Sequence, residues 1–139
     1  ERIMKENNIV PITVKKFKAT TNSNHDYPIS PNLLNRQFNV DAPFKAWVTD
    51  ITYVRTDEGW LYLAAVMDLY SGKIVGWAMD STITQQLVIT ALKQAIGRAK
   101  PPRGVLCHSD RGVQYASKKY RRILAFYGFK QSMSRKGNC

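Results

Sequence analysis

The sequence predicts an α/β fold with a mixed five-stranded sheet, strands one to three antiparallel and strands four and five parallel to strand one. Two observations predict it. Three apolar segments follow one another across short turns, which builds an antiparallel meander, and helix-like and strand-like segments then alternate, which brings later strands back in parallel. A chain of 139 residues suffices for one domain with a real core and a tail.

Residues 1–10 resemble the end of a helix, which Pro11 breaks, and residues 18–32 are polar with two prolines, as in a linker. Leu33, Leu34 and Phe38 read as a short anchor that packs onto the domain after them. Residues 1–40 are therefore expected to be a linker from an upstream region, an expectation that the opening on Glu1 supports, and residues 41–139 the domain proper. Residues 46–55 alternate and are rich in β-branched and aromatic side chains, giving strand one. After a turn at Thr56–Gly59, residues 60–69 are apolar on both parities, as in a central strand covered on two faces. The Tyr70–Lys73 turn leads to strand three at 74–79. Ser81 and Thr82 are expected to cap a helix over 83–99, with Leu87, Ala91, Leu92, Ala95, Ile96 and Ala99 on one face, and Pro101 and Pro102 end it. Residues 104–109 form strand four. Ser117 caps a second helix that Gly128 closes, and residues 129–133 form strand five.

Composition narrows the function. The formal net charge is +11, and it is unevenly placed. Residues 98–139 hold eleven basic residues and one acid, Asp110, while residues 46–97 hold three basic and five acidic ones. A solvated basic helix face is the plain reading of such a run. A phosphate-binding surface explains it better, because a one-signed field repels itself without a polyanion. No apolar run is long enough to cross a membrane and no signal peptide is visible, so a cytoplasmic protein without a membrane partner is expected. Cys107 and Cys139 cannot build a disulfide framework, and with His25 and His108 they are too scattered for zinc.

Two acids stand out. Asp50 lies within an apolar strand, between Val48 and Ile51, where a carboxylate is costly to bury unless it gains a cation or several donors. Asp110 stands at the C-terminal end of strand four, where sheets with parallel strands hold ligands. If strands one and four are neighbours, the two carboxylates approach and repel, and a divalent cation relieves the repulsion. Oxygen-only ligation favours Mg²⁺ or Mn²⁺. Asp68 reads as a turn-capping acid, and Asp26, Asp57 and Glu58 as solvated surface.

The string WVTDITYVRTDEGWLYLAAVMDLYSGKIVGWAM (Trp47–Met79), followed by HSDRGVQYAS (His108–Ser117), resembles the integrase core of the IS3-family insertion-sequence transposases. The resemblance spans roughly residues 33–139. It implies an RNase H-like fold and a DDE recombinase that cuts and joins DNA, acting on element ends and target DNA as a homodimer or higher oligomer. By position it makes Asp50 the first catalytic and metal-binding acid and Asp110 the second. It further implies a third acid, a glutamate about 35 residues beyond the second, completing the carboxylate set of a two-metal site. The sequence ends 29 residues past Asp110, so an incomplete triad and an inactive fragment are expected.

Other residues carry weaker readings. Arg111, Gln114, Lys118, Lys119, Arg122, Arg135 and Lys136 are candidate DNA contacts, although the four basic residues of the second helix point in several directions. His108 reads as structural sooner than as a helper of a metal-bound acid, and Trp47, Trp60 and Trp77 read as core. Two further functions stay open: an RNase H-like nuclease that only hydrolyses, and a non-catalytic DNA-binding remnant of a mobile element.

Overall fold

The computed structural model describes residues 25–135. Strands β1 (Ala46–Thr56), β2 (Gly59–Asp68) and β3 (Ile74–Asp80) precede helix α1 (Gln85–Ala99), after which β4 (Leu106–Ser109), α2 (Val113–Ala116), α3 (Lys118–Tyr127) and β5 (Lys130–Met133) complete the domain. The sheet order is β3-β2-β1-β4-β5. β1–β2 and β2–β3 pair antiparallel, and β1–β4 and β4–β5 pair parallel, as the short turns and helical crossovers require. The expected α/β fold is the one observed, and it is RNase H-like.

The period-two alternation of β1 divides the sheet into two faces. Trp47 and Thr49 are buried on one, together with Ala64, Val66, Ala78, Cys107 and Met133. Leu87, Leu92 and Ile96 of α1, Tyr115 of α2 and Tyr120 and Leu124 of α3 close over them as a single core. Helix α1 approaches β3 closely because Gly76 has no side chain: a Cβ there would lie 2.4 Å from the Ala95 nitrogen.

The opposite face is covered differently. Residues 25–38 form an arm that crosses β4 and β5. The backbone N–H groups of Leu33 and Leu34 both donate to Ser132 Oγ, at 2.9 and 3.2 Å, and Leu34 is buried. Of the three anchor residues expected from the sequence, only Leu34 is inserted, since Leu33 and Phe38 stay half exposed. Beyond the arm, on β3, Trp77 and Met79 stand in solvent. Trp47 is therefore the sole core tryptophan. Trp77 lies opposite Ala65, on the uncovered side, and Trp60 sits beside the β1–β2 turn with its ring edge-on to Tyr53.

Local chemistry moves some boundaries. Helix α1 is capped by Thr84, whose hydroxyl accepts from the Leu87 N–H, and not by Ser81 or Thr82. Those two residues are held by the Asp80 carboxylate, which accepts from Ser81 Oγ, Thr82 N and Thr82 Oγ1. That turn delays the helix. Ser117 and Gly128 cap α3 as expected. Strand four begins at Leu106, two residues later than the apolar run, and the four-residue α2 had no signal of its own. Asp68 is a buried turn acid: its carboxylate accepts from Phe44 N, Ser71 N and Ser71 Oγ at 2.8–3.0 Å. The helix end expected at residues 1–10, Lys136 and Cys139 lie outside the described residues.

Candidate active site

Register brings the two singled-out acids together. Val48 of β1 pairs with His108 of β4 in parallel. Two residues further along both segments stand Asp50 and Asp110, on the face away from the helices. Both line one pocket of about 730 Å³, bounded by β1, the end of β4, the arm and the segment after β5. β1 runs on past the pairing with β4, so Asp50 stays within a strand while Asp110 sits in the turn that leaves the shorter one.

That turn is tightly fixed. The Gly112 N–H donates to Asp110 Oδ1 at 2.8 Å, and Ser109 Oγ donates to the Asp110 carbonyl at 2.9 Å. Arg111 is engaged with the segment after β5, its Nε donating to the Ser134 carbonyl at 2.7 Å. Beneath the site, Thr49 Oγ1 and Tyr115 Oη lie 3.3 Å apart in the core, tying β1 to α2. His108 is held through Nδ1, 2.8 Å from Ser132 Oγ. Its partial burial holds its pKa below the ordinary histidine value, and it lines the wall of the pocket.

Electrostatics marks Asp50. Its carboxylate opens into the pocket, yet the walls strip part of its hydration, and this desolvation raises its pKa above the ordinary aspartate value. The nearby Asp110 charge pushes the same way, and a hydrogen bond from the Ile51 backbone opposes both. Two carboxylates that line one pocket, with the charge of one raising the pKa of the other, offer the oxygen donors that suit a hard divalent cation. Among the described residues no group of three or more His, Cys, Asp or Glu side chains is placed to hold a metal ion. Cys107 is unfit for metal or nucleophile, because complete burial pushes its thiol up to about 11.

The model of the family described as integrase core domain matches residues 40–139. The chain belongs to this family. The integrase core here is 53% identical over 125 residues to an uncharacterised 31 kDa protein of insertion element IS600 from Shigella sonnei, covering 90% of this chain and 46% of that protein. It is 46% identical, again over 125 residues, to the transposase InsF of insertion sequence IS3A from Escherichia coli strain K12, of which it covers 43%. The chain thus spans less than half the length of these relatives. Among solved structures, it superposes on a chain of the simian T-cell lymphotropic virus intasome with a TM-score of 0.63 at 20% identity, covering 82% of this chain and 38% of that one. It also superposes on the HTLV-2 integrase catalytic core domain in complex with magnesium, dimeric form, with a TM-score of 0.59 at 23% identity, covering 66% of this chain and 61% of that one.

The remaining candidate residues are scattered over this integrase core. Lys118, Lys119 and Arg122 are exposed on α3, which lies on the helix-covered side, whereas the acid pocket opens on the other. Lys119 Nζ also donates to Gln86 Oε1 at 3.2 Å. Gln114 is buried in α2, with its Oε1 lacking a hydrogen-bond partner among the described residues, so it is not a surface contact. Arg135 lines the pocket. The sequence reading missed Asn35 and Arg36 of the arm, which line it as well. One signal was available: Arg36 is the only Lys or Arg between residues 19 and 44, and it adjoins the Leu33–Leu34 anchor.

Proposed function

We propose that this integrase core is the catalytic domain of a DNA transposase, with Asp50 and Asp110 as two of its catalytic carboxylates and Mg²⁺ or Mn²⁺ as cofactor. The observation that carries the reading is the parallel register of β1 and β4, which leads both acids into one pocket. In the reaction, water adds to the phosphorus at an element end, the P–O3′ bond breaks and the 3′ oxygen leaves as a hydroxyl. That hydroxyl then attacks a target phosphodiester, and a second P–O3′ bond breaks. A bound divalent cation would lower the barrier by acidifying the attacking oxygen and neutralising charge on the leaving one. The chain's own part is to hold two acids in one pocket, one on a strand and one on a hydrogen-bonded turn, with His108 in the wall beside them. The relatives named are bacterial and one solved neighbour is a dimeric form, which favours a dimer or larger assembly working on chromosomal DNA in the bacterial cytoplasm.

Titration with Mn²⁺ followed by NMR tests the site. Paramagnetic broadening should begin at residues around 50 and 110 and disappear in the Asp50→Asn, Asp110→Asn double variant. Broadening that starts elsewhere, or survives that variant, overturns the assignment.

DNA affinity is a separate test. Each phosphate neutralised contributes about −0.9 to the slope of log affinity against log salt, so a surface making several contacts loses affinity steeply. Charge reversal at Lys118, Lys119 and Arg122 should flatten the slope by two units or so if α3 meets DNA. An unchanged slope would remove α3 from the interface and leave the pocket reading intact.

A further inference from the structure

The arm does more than cover β4 and β5. It is tied down along its length: His25 Nε2 lies 2.9 Å from the Arg111 carbonyl, Ser30 Oγ donates to Gln131 Oε1 at 2.9 Å, and Leu34 is buried over Ser132. It then makes an unusual turn. Asn35 and Arg36 adopt φ of 45° and 63°, the left-handed region that disfavours a side chain as large as arginine. The turn is held by the Asn35 N–H donating to Asn32 Oδ1 at 2.8 Å and the Gln37 N–H donating to the Leu34 carbonyl at 2.8 Å. Its result is to set Arg36 in the wall of the pocket that holds Asp50 and Asp110. Arg135 reaches the same wall from the other end of the chain, its Nη2 donating to Asn35 Oδ1 at 3.1 Å. Strain of this kind persists where surrounding structure over-determines it, and here it positions a cation.

We propose that the arm completes the active site as a phosphate clamp, in which Arg36, with Arg135 beside it, grips a phosphate of the DNA strand lying across the acid pair. The chemistry selects this ligand. Guanidinium forks match the non-bridging oxygens of a phosphodiester, and the carboxylates opposite need a cation that the same phosphate helps to hold. A pocket of about 730 Å³ has room for a nucleotide unit. The proposal rests on the transposase reading above. It assigns the arm, expected from sequence to be a linker, a binding role that the two acids cannot supply.

The test uses a full-length transposase carrying this core and a duplex bearing the element end. Arg36→Gly removes the guanidinium and relaxes the backbone, and a melting temperature within a few degrees of the parent's is expected and shows that the fold survives. Strand-transfer kcat/KM should nevertheless fall about ten- to a hundredfold, the loss of one charge-assisted phosphate contact, and the salt slope of binding should shrink by about 0.9. A single neutral methylphosphonate at the gripped position should reproduce the loss in the parent and add nothing in Arg36→Gly. Losses that add at every phosphate, or a variant with parental rate and slope, overturn the clamp. So does a fall in melting temperature with the slope unchanged, which would make Arg36 merely a counter-charge to the acids. Asp50→Asn and Asp110→Asn separate the two claims: if they still join DNA, the acid assignment fails, while the slope and the methylphosphonate scan still read the arm.

Discussion

Replacing Asp50 or Asp110 with alanine in a full-length transposase built on this core should abolish strand transfer, by about a thousandfold or more, while duplex DNA affinity stays within about threefold. On the transposase reading proposed above, each carboxylate would act on charge that develops only as the phosphodiester bond breaks, so its loss should fall on kcat and spare binding. A merely structural pair would behave in the opposite way, with activity falling in step with folded protein. Thermal melting distinguishes the two. The folded pKa of Asp50 is raised, by desolvation first and by Asp110 second, so folding favours its protonated form. Above the raised pKa the charge opposes folding, and the penalty is relieved as pH falls through it. Asp50→Asn, without metal, should therefore melt at or above the parental temperature at neutral pH, and the difference should vanish in acid as the parental carboxyl protonates. An Asp50→Asn protein that melts lower at neutral pH, or keeps its catalysis, counts against the site.

Both acids were legible because each breaks a local rule. Asp50 interrupts an apolar strand and Asp110 is the only acid among the last 42 residues. The topology was legible because turn length and crossover length leave few ways to pair five strands. What the sequence hid is long-range. Trp47 and Trp77 sit in equally apolar strands, and only the covering of one face and not the other separates a core ring from an exposed one. The cap at Thr84 was hidden by a nearer competitor, since Asp80 holds Ser81 and Thr82 for itself. Arg36 was hidden because its place depends on Ser132, a partner nearly one hundred residues away that anchors Leu34 beside it. Gln114 misled in the other direction. A polar residue just after the HSDRG motif reads as a substrate contact, yet α2 turns it inward.

Gly76→Ala should be among the most destabilising single-methyl additions available to this domain, although Gly76 lies far from the acids in sequence. A Cβ at that position would meet the Ala95 nitrogen at 2.4 Å, the Ala91 carbonyl oxygen at 2.5 Å and Ala95 Cβ at 2.6 Å. Two of the three are helix backbone, which cannot rotate aside as a side chain can. The methyl is admitted only if α1 lifts from β3, which opens the packing of Leu87, Ala91 and Leu92 against the sheet. Overpacking commonly costs 1–3 kcal/mol, and a whole-helix shift belongs at or above the top of that range, so about 3 kcal/mol or more is expected. For a domain of this size that corresponds to a fall of about 10 °C or more in melting temperature. Gly97 supplies the contrast. It lies in the same helix with nothing within 4 Å of a built Cβ, so Gly97→Ala should stabilise by about 0.5–1 kcal/mol through helix propensity alone. Ala95→Gly added to Gly76→Ala removes only the Cβ contact and leaves both backbone contacts in place, so it should rescue little. Melting curves for the four proteins decide the matter: a Gly76→Ala protein within about 1 kcal/mol of the parent would show that α1 and β3 are not pressed together as the structure has them.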